Sequence, residues 1–89
     1  MEYTVIYTNA FKADLKSAKK RGWSISLLEA VANDLRVGNE LNKKYKEHIL
    51  LGQYDGYHEC HIKPDWLLLY YYFDNFLVFD RTGTHSDLF

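Results

Sequence analysis

Leu67-Leu68-Leu69-Tyr70-Tyr71-Tyr72-Phe73 is apolar or aromatic at every position. Side chains alternate between the two faces of a strand, so a strand built from this run is apolar on both. That is the pattern of a central strand covered on two sides. Even with Trp66 added, the run falls far short of the roughly 20 residues that a membrane-spanning helix needs. Asp74-Asn75 follows as a two-residue hairpin turn, and residues 76–80 read as the returning strand. Upstream, Pro64 cannot donate to a ladder and belongs to a connection, beyond which residues 57–62 form another strand.

Towards the N-terminus the period changes. Residues 2–8 are β-branched and aromatic and read as a strand. Thr8 or Asn9 can cap a helix carrying Phe11, Leu15 and Ala18 on one face, with Gly22 as its stop. Ser26 and Glu29 have the spacing of a capping box for a second helix, flanked by Ile25 and Ala30 as a staple. Leu28, Val31 and Leu35 line that helix, which stops near Gly38; the short joint predicts an antiparallel helix pair. From Asn39 to Gly56 the periodicity fails, predicting a long polar loop of the kind that often carries function. The tail after Gly83 reads as one helical turn.

The expected order is β-α-α-β-β-β: an α+β fold, with two helices on one face of a four-stranded, mainly antiparallel sheet, in one domain over residues 1–89. Two helices cover only one face, so the other should present aromatics to solvent or to a partner. Eight Tyr, five Phe and two Trp supply the bulk for a core in so short a chain, at roughly 150–250 Å² each when enclosed. A single cysteine, Cys60, excludes an intrachain disulfide, suits a reducing compartment and reads as a small buried hydrophobe. Met1-Glu2-Tyr3 lacks the basic start of a signal peptide, so a cytoplasmic protein without membrane contact is expected.

The net charge of −1 is unevenly spread. Residues 1–48 hold nine Lys/Arg against six Asp/Glu; residues 49–89 hold two against six. The balance argues against nucleic-acid binding, which draws affinity from neutralised phosphates. The clusters Lys16/Lys19/Lys20/Arg21 and Lys43/Lys44/Lys46 argue for it.

All four histidines lie after residue 47. Three readings compete for them. A metal shell would draw on His58 and His61 with Glu59, Asp65 and His85, but residues three apart on a strand face opposite ways. A plain structural role fits each residue taken singly, Arg81 then pairing with Asp80 or Asp87. RNA cleavage without a metal fits them together: imidazoles move protons near neutral pH, and arginine grips phosphate oxygens. Aromatic side chains such as Trp66 and Phe89 would then hold splayed bases.

Three stretches carry a resemblance: Glu47-His48-Ile49-Leu50-Leu51-Gly52, the run from Tyr57 through His61-Ile62-Lys63-Pro64-Asp65-Trp66 to Tyr70, and Arg81-Thr82-Gly83-Thr84-His85-Ser86-Asp87-Leu88-Phe89. They resemble the RelE superfamily, and within it the YafQ-type mRNA interferases of type II toxin–antitoxin systems. The resemblance implies ribosome-dependent mRNA cleavage without a cofactor, held in check by a cognate antitoxin. It places His48, His61, Asp65, Arg81 and His85 in the catalytic set. Trp66 and Phe89 are then aromatics flanking the site; the charge cluster Lys43/Lys44/Lys46 supplies the expected substrate contacts. On that set the expected roles are His85 as general acid, Arg81 as phosphate clamp, His48 or Asp65 as base, and His61 in positioning or polarising the group. The second sheet face becomes the RNA groove and part of the antitoxin contact. Ile49 stands where the family usually has proline, and His58 where it commonly has arginine. The rival expectation is a ParE-like binding protein that inhibits a target such as DNA gyrase without cleavage, or a degenerate toxin.

Overall fold

The apolar run forms β4 (Trp66–Phe73), the middle strand of a five-stranded sheet, in a computed structural model that describes residues 2–89. Along the chain come β1 (Thr4–Tyr7), α1 (Asn9–Lys20), α2 (Ile25–Arg36), β2 (His48–Ile49), β3 (His58–Lys63), β4, β5 (Phe76–Gly83) and α3 (His85–Leu88). The sheet order is β1-β5-β4-β3-β2; β1 is parallel to β5 and every other pair is antiparallel. The α+β class and the mainly antiparallel sheet are as expected from the sequence.

The extra strand is a correction. β2 lies inside the segment expected to be loop and pairs His48 with Glu59 and Ile49 with His58. Two residues are too few to show an alternating pattern, so nothing in the local sequence marks them. β5 also outruns its expected end. A register irregularity opposite Leu69/Tyr70 lets the strand pass Asp80 and continue through Gly83, whose polar sequence conceals it.

Thr8 caps α1: its hydroxyl accepts from the Phe11 N–H at 3.0 Å and donates to the Asp80 carbonyl at 2.8 Å. One side chain thus ends the loop, starts the helix and ties it to the irregular part of β5. The start of α2 differs from expectation. Ser24, not Ser26, is its N-cap, and the Ser26–Glu29 box does not form. Ile25 packs against the core and draws the first turn inward, leaving the Ser24 and Ser26 hydroxyls 2.9 Å apart.

Trp66, Leu68 and Tyr70 of β4 pack with Cys60, Ile62, Leu77 and Phe79 beneath Phe11, Ala18, Leu28, Val31 and Leu35 of the helices. On the opposite face Leu67 and Leu69 are covered by Leu88 of α3, with Leu50 and Tyr57 against them. That face is therefore less open than the two-helix argument requires. Its exposed apolar groups are peripheral, among them Phe89 at 56 % and Leu51 at 81 %.

Candidate active site

The second sheet face is where the histidines gather. His61 of β3 projects there with Glu59, two residues earlier and so on the same side of the strand. The short strand β2 brings His48 opposite Glu59. Glu59 is only 6 % exposed, and one of its oxygens meets both rings: Oε1 lies 3.3 Å from His48 Nε2 and 3.2 Å from His61 Nε2. The remaining nitrogens face carbonyls, His48 Nδ1 at 3.1 Å from Lys46 O and His61 Nδ1 at 3.3 Å from Pro64 O. A carbonyl only accepts, so both Nδ1 atoms carry hydrogen. Both Nε2 atoms then lie within reach of one carboxylate oxygen, His61 in a hydrogen bond and His48 at ion-pair distance.

The third imidazole is held differently. Thr84 and Asp87 form a reciprocal capping box around α3, and Arg21 grips Asp87 through two bonds of 2.8 and 3.1 Å. The turn so fixed carries His85, whose ring centre is 5.8 Å from that of His61; His48 and His61 are 6.3 Å apart by the same measure. Asp65 Oδ1 accepts from the His85 backbone N–H at 2.9 Å and from ring Nδ1 at 2.5 Å. The backbone bond first, then the ring bond, lowers the Asp65 pKa from its ordinary value. Asp65 is thus a committed acceptor that holds both the backbone and the ring of His85. His85 Nε2 is left with no partner among the described residues and faces solvent from a side chain that is 54 % exposed.

Arg81 does not join this group. Its Nε and Nη2 bind Asp14 of α1 at 2.6 and 3.2 Å, and Asp14 also accepts the Thr82 N–H at 3.1 Å. Neither Asp80 nor Asp87 is its partner, contrary to the plain structural reading. Trp66 departs from expectation too. It is 3 % exposed, lies against Trp23 with ring centres 4.9 Å apart, and donates its indole N–H to Thr82 at 2.9 Å. Such a ring is part of the core and offers no face to a base. Phe89 remains open, edge-on to Tyr54 at 5.3 Å.

The loop before His48 is anchored through Glu47. Its Oε2 meets His58 Nδ1 at 2.8 Å and accepts from the Tyr70 hydroxyl at 3.0 Å, while the His58 ring stacks on Tyr70. His58 and His61 therefore serve opposite faces, as strand parity requires. The Cys60 thiol beneath is pushed up to about 12, by burial first and then by Glu47 and Glu59, so it stays protonated and inert. Lys44 and Lys46 line a groove beside His61; Lys43, in the same turn, does not.

Four of the five expected catalytic residues converge, in two imidazole–carboxylate units on one face. The family profile described as "Bacterial toxin of type II toxin-antitoxin system, YafQ" matches residues 3–89. The chain belongs to the YafQ toxin family. It is 39 % identical over 85 residues to the mRNA interferase toxin YafQ of Escherichia coli K12, covering 93 % of this chain and 91 % of that one. It also matches YafQ in the crystal structure of the E. coli DinJ–YafQ toxin–antitoxin complex, with TM-score 0.92, 36 % identity, and 100 % and 99 % of the two chains covered. A metal-bound toxin from Helicobacter pylori matches with TM-score 0.92 and 40 % identity over 100 % of both chains. In the present YafQ-family chain no cluster of three His, Cys, Asp or Glu among the described residues is placed to hold a metal ion. No helix among them is long and apolar enough to cross a membrane.

Glu59 was visible in sequence only as a member of a metal shell. Its i, i+2 relation to His61 on a strand is the signal that places both on one face. Glu47, Tyr70 and Asp14 had no such signal, because their partners are distant in the chain.

Proposed function

We propose that this chain is a toxin that cleaves ribosome-bound mRNA by acid–base catalysis, and that a cognate antitoxin neutralises it. The observation that carries the reading is His85, with Nδ1 fixed on Asp65, Nε2 without a partner among the described residues, and its ring centre 5.8 Å from that of His61. In the reaction the 2′-hydroxyl oxygen attacks the adjacent phosphorus and the bond to the 5′ oxygen breaks. The His48–Glu59–His61 group takes the 2′ proton, with His48 as its most exposed member. His85 Nε2 delivers a proton to the leaving 5′ oxygen, giving a 2′,3′-cyclic phosphate and a 5′-hydroxyl. Each positioned proton-transfer group contributes typically 10²–10⁴-fold. Arg81 is held on Asp14 apart from the imidazoles, and its Nη1, the one guanidinium nitrogen without a bond to Asp14, is the atom assigned to the phosphoryl oxygens. The names of the E. coli relative and of its complex with DinJ support the substrate and the antitoxin.

The test is to induce the chain in growing cells and map mRNA 5′ ends, beside a His85→Ala variant. Codon-phased new ends that vanish in the variant support the reading. Growth arrest without them rejects it. Cleavage of purified mRNA with and without ribosomes settles the dependence on ribosomes.

A further inference from the structure

Beyond the imidazoles a trough runs along the edge of the site. One part is lined by Lys44, Tyr45 and Lys46 from the loop before β2, with His61 and Lys63 from β3 and Leu27 from α2. Leu27 and Lys63 also line the adjoining concavity, which reaches Asp65, the carboxylate that holds His85. The two concavities share Leu27 and Lys63, so the trough adjoins both His61 and Asp65.

Its charge is one-sided. Lys44, Lys46 and Lys63 are exposed and make no ion pair among the described residues, and no acidic side chain lines the part beside His61. This stands out in a chain of net charge −1 whose C-terminal half holds Lys63 as its only lysine. The loop lysines are not free to wander at their backbone. Asn42 caps their turn by accepting the Lys44 N–H at 2.9 Å, and Glu47 ties its far end to Tyr70. Between the cations, Leu27 is 38 % exposed and Tyr45 is half-buried, giving an apolar wall. Cations spaced along an apolar wall suit a single strand of RNA, whose phosphates repeat while its bases seek cover from water.

We propose that this trough is a subsite for the RNA strand flanking the scissile phosphate, with Lys44, Lys46 and Lys63 on its phosphates and a base against Leu27 and Tyr45. The subsite rests on the nuclease reading for its place in the reaction, and adds Lys63, Leu27 and Tyr45 to the residues that meet RNA. It assigns the contacts to the substrate strand, ribosomal RNA being the other source of the same chemistry.

The probe is a single-stranded oligoribonucleotide methylated at every 2′ oxygen, which cannot be cleaved because the nucleophile is blocked. Its affinity is measured against KCl concentration for the unaltered protein, for K44Q/K46Q/K63Q, and for K12Q/K16Q/K19Q, which removes equal charge from α1. Each phosphate contact on a single strand contributes about 0.7 to the slope of log affinity against log salt. The groove variant should lower that slope by about 2, and the helix variant should leave it unchanged. Equal slopes in the two variants, or no binding by the unaltered protein, would overturn the subsite. So would weaker binding of the groove variant to mRNA-free ribosomes with the oligonucleotide held as before, since that assigns the lysines to ribosomal RNA. Oligonucleotide binding that depends on the groove, with no mRNA cleavage by the unaltered protein, would uphold the subsite while rejecting the nuclease reading.

Discussion

His85 and Asp65 meet twice: the same carboxylate oxygen accepts the histidine's backbone N–H at 2.9 Å and its ring Nδ1 at 2.5 Å. The two bonds set both the position of the ring and its tautomer, leaving Nε2 for proton transfer. His85→Gln should therefore reduce single-turnover cleavage of mRNA at least about 100-fold. Asp65→Asn keeps an acceptor of the same shape but loses its charge, and should cost less. Equal, few-fold effects in both variants would remove His85 from the acid role.

Glu59 makes a parallel prediction. Its buried carboxylate lies against both His48 and His61, so Glu59→Gln should lower the cleavage rate by about tenfold or more with the fold intact. The ring proton signals of both histidines should shift together, read by NMR. A shift in only one ring would mean that Glu59 serves one histidine and not both.

Much of this was legible in the chain itself. Residues 66–73 announced the central strand because apolar side chains on both faces have no other good explanation. Thr8 was readable as a cap because the residues around it were locally consistent. What stayed hidden depended on partners far away in sequence. Asp14 and Arg81 meet across 67 positions, and β2 exists because Glu59 and His58 are there to pair with it. Trp66 was misread for a related reason: aromatic character alone does not say whether a ring faces a ligand or the core. Its burial follows from alternation along β4 with Leu68 and Tyr70.

Asp87 supports the turn that carries His85, and its pKa is well below the ordinary carboxylate range, through Arg21 first and then the Thr84 backbone. A depressed folded-state pKa gives stability that is complete above the unfolded value, about 4, and is lost as pH falls toward the folded one. Asp87→Asn should therefore destabilise the protein by up to about 1 kcal/mol at neutral pH, the scale of an exposed ion pair. The two urea midpoints should converge as pH drops below about 4. A constant gap at all pH values would show that the charge of Asp87 is not what matters.

Arg81 and Asp14 separate support from catalysis. Arg81→Lys keeps a positive charge but cannot reproduce the two-nitrogen grip, and should cost about 1.5–3 kcal/mol in urea unfolding. Asp14→Asn should cost a similar amount. If Arg81 also meets the phosphoryl oxygens, its replacement should slow single-turnover cleavage well beyond what Asp14→Asn does. Equal losses of rate would confine Arg81 to holding β5 on α1.

The metal-bound Helicobacter toxin motivates a direct trial of cation dependence. The proposed steps move protons between imidazoles, carboxylate and RNA oxygens, and no step is routed through a metal ion bound to the toxin. Ribosomes need magnesium, so the toxin alone is dialysed against chelator and then assayed in ordinary ribosome buffer. Its cleavage rate should stay within about twofold, well below the 10²–10⁴-fold contributed by one proton-transfer group. A loss restored by a transition metal would require a different mechanism.

The Glu47 anchor accounts for a residue in which this chain departs from its family's common pattern. His58, which the sequence resemblance sets where arginine is expected, reaches Glu47 at 2.8 Å while its ring stacks on Tyr70. Tyr70 is fully buried, so its hydroxyl depends on Glu47 for a partner. Tyr70→Phe removes that bond and should cost about 1 kcal/mol, with faster amide exchange confined to residues 42–49. His58→Gln should loosen the same segment, whereas His58→Arg, which can meet the carboxylate with two nitrogens, should restore its protection. Since this segment carries His48 and two of the groove lysines, cleavage should follow the exchange rates: weaker in the first two variants and recovered in the third. Exchange that stays the same in all three proteins would show that the loop is held by its backbone alone.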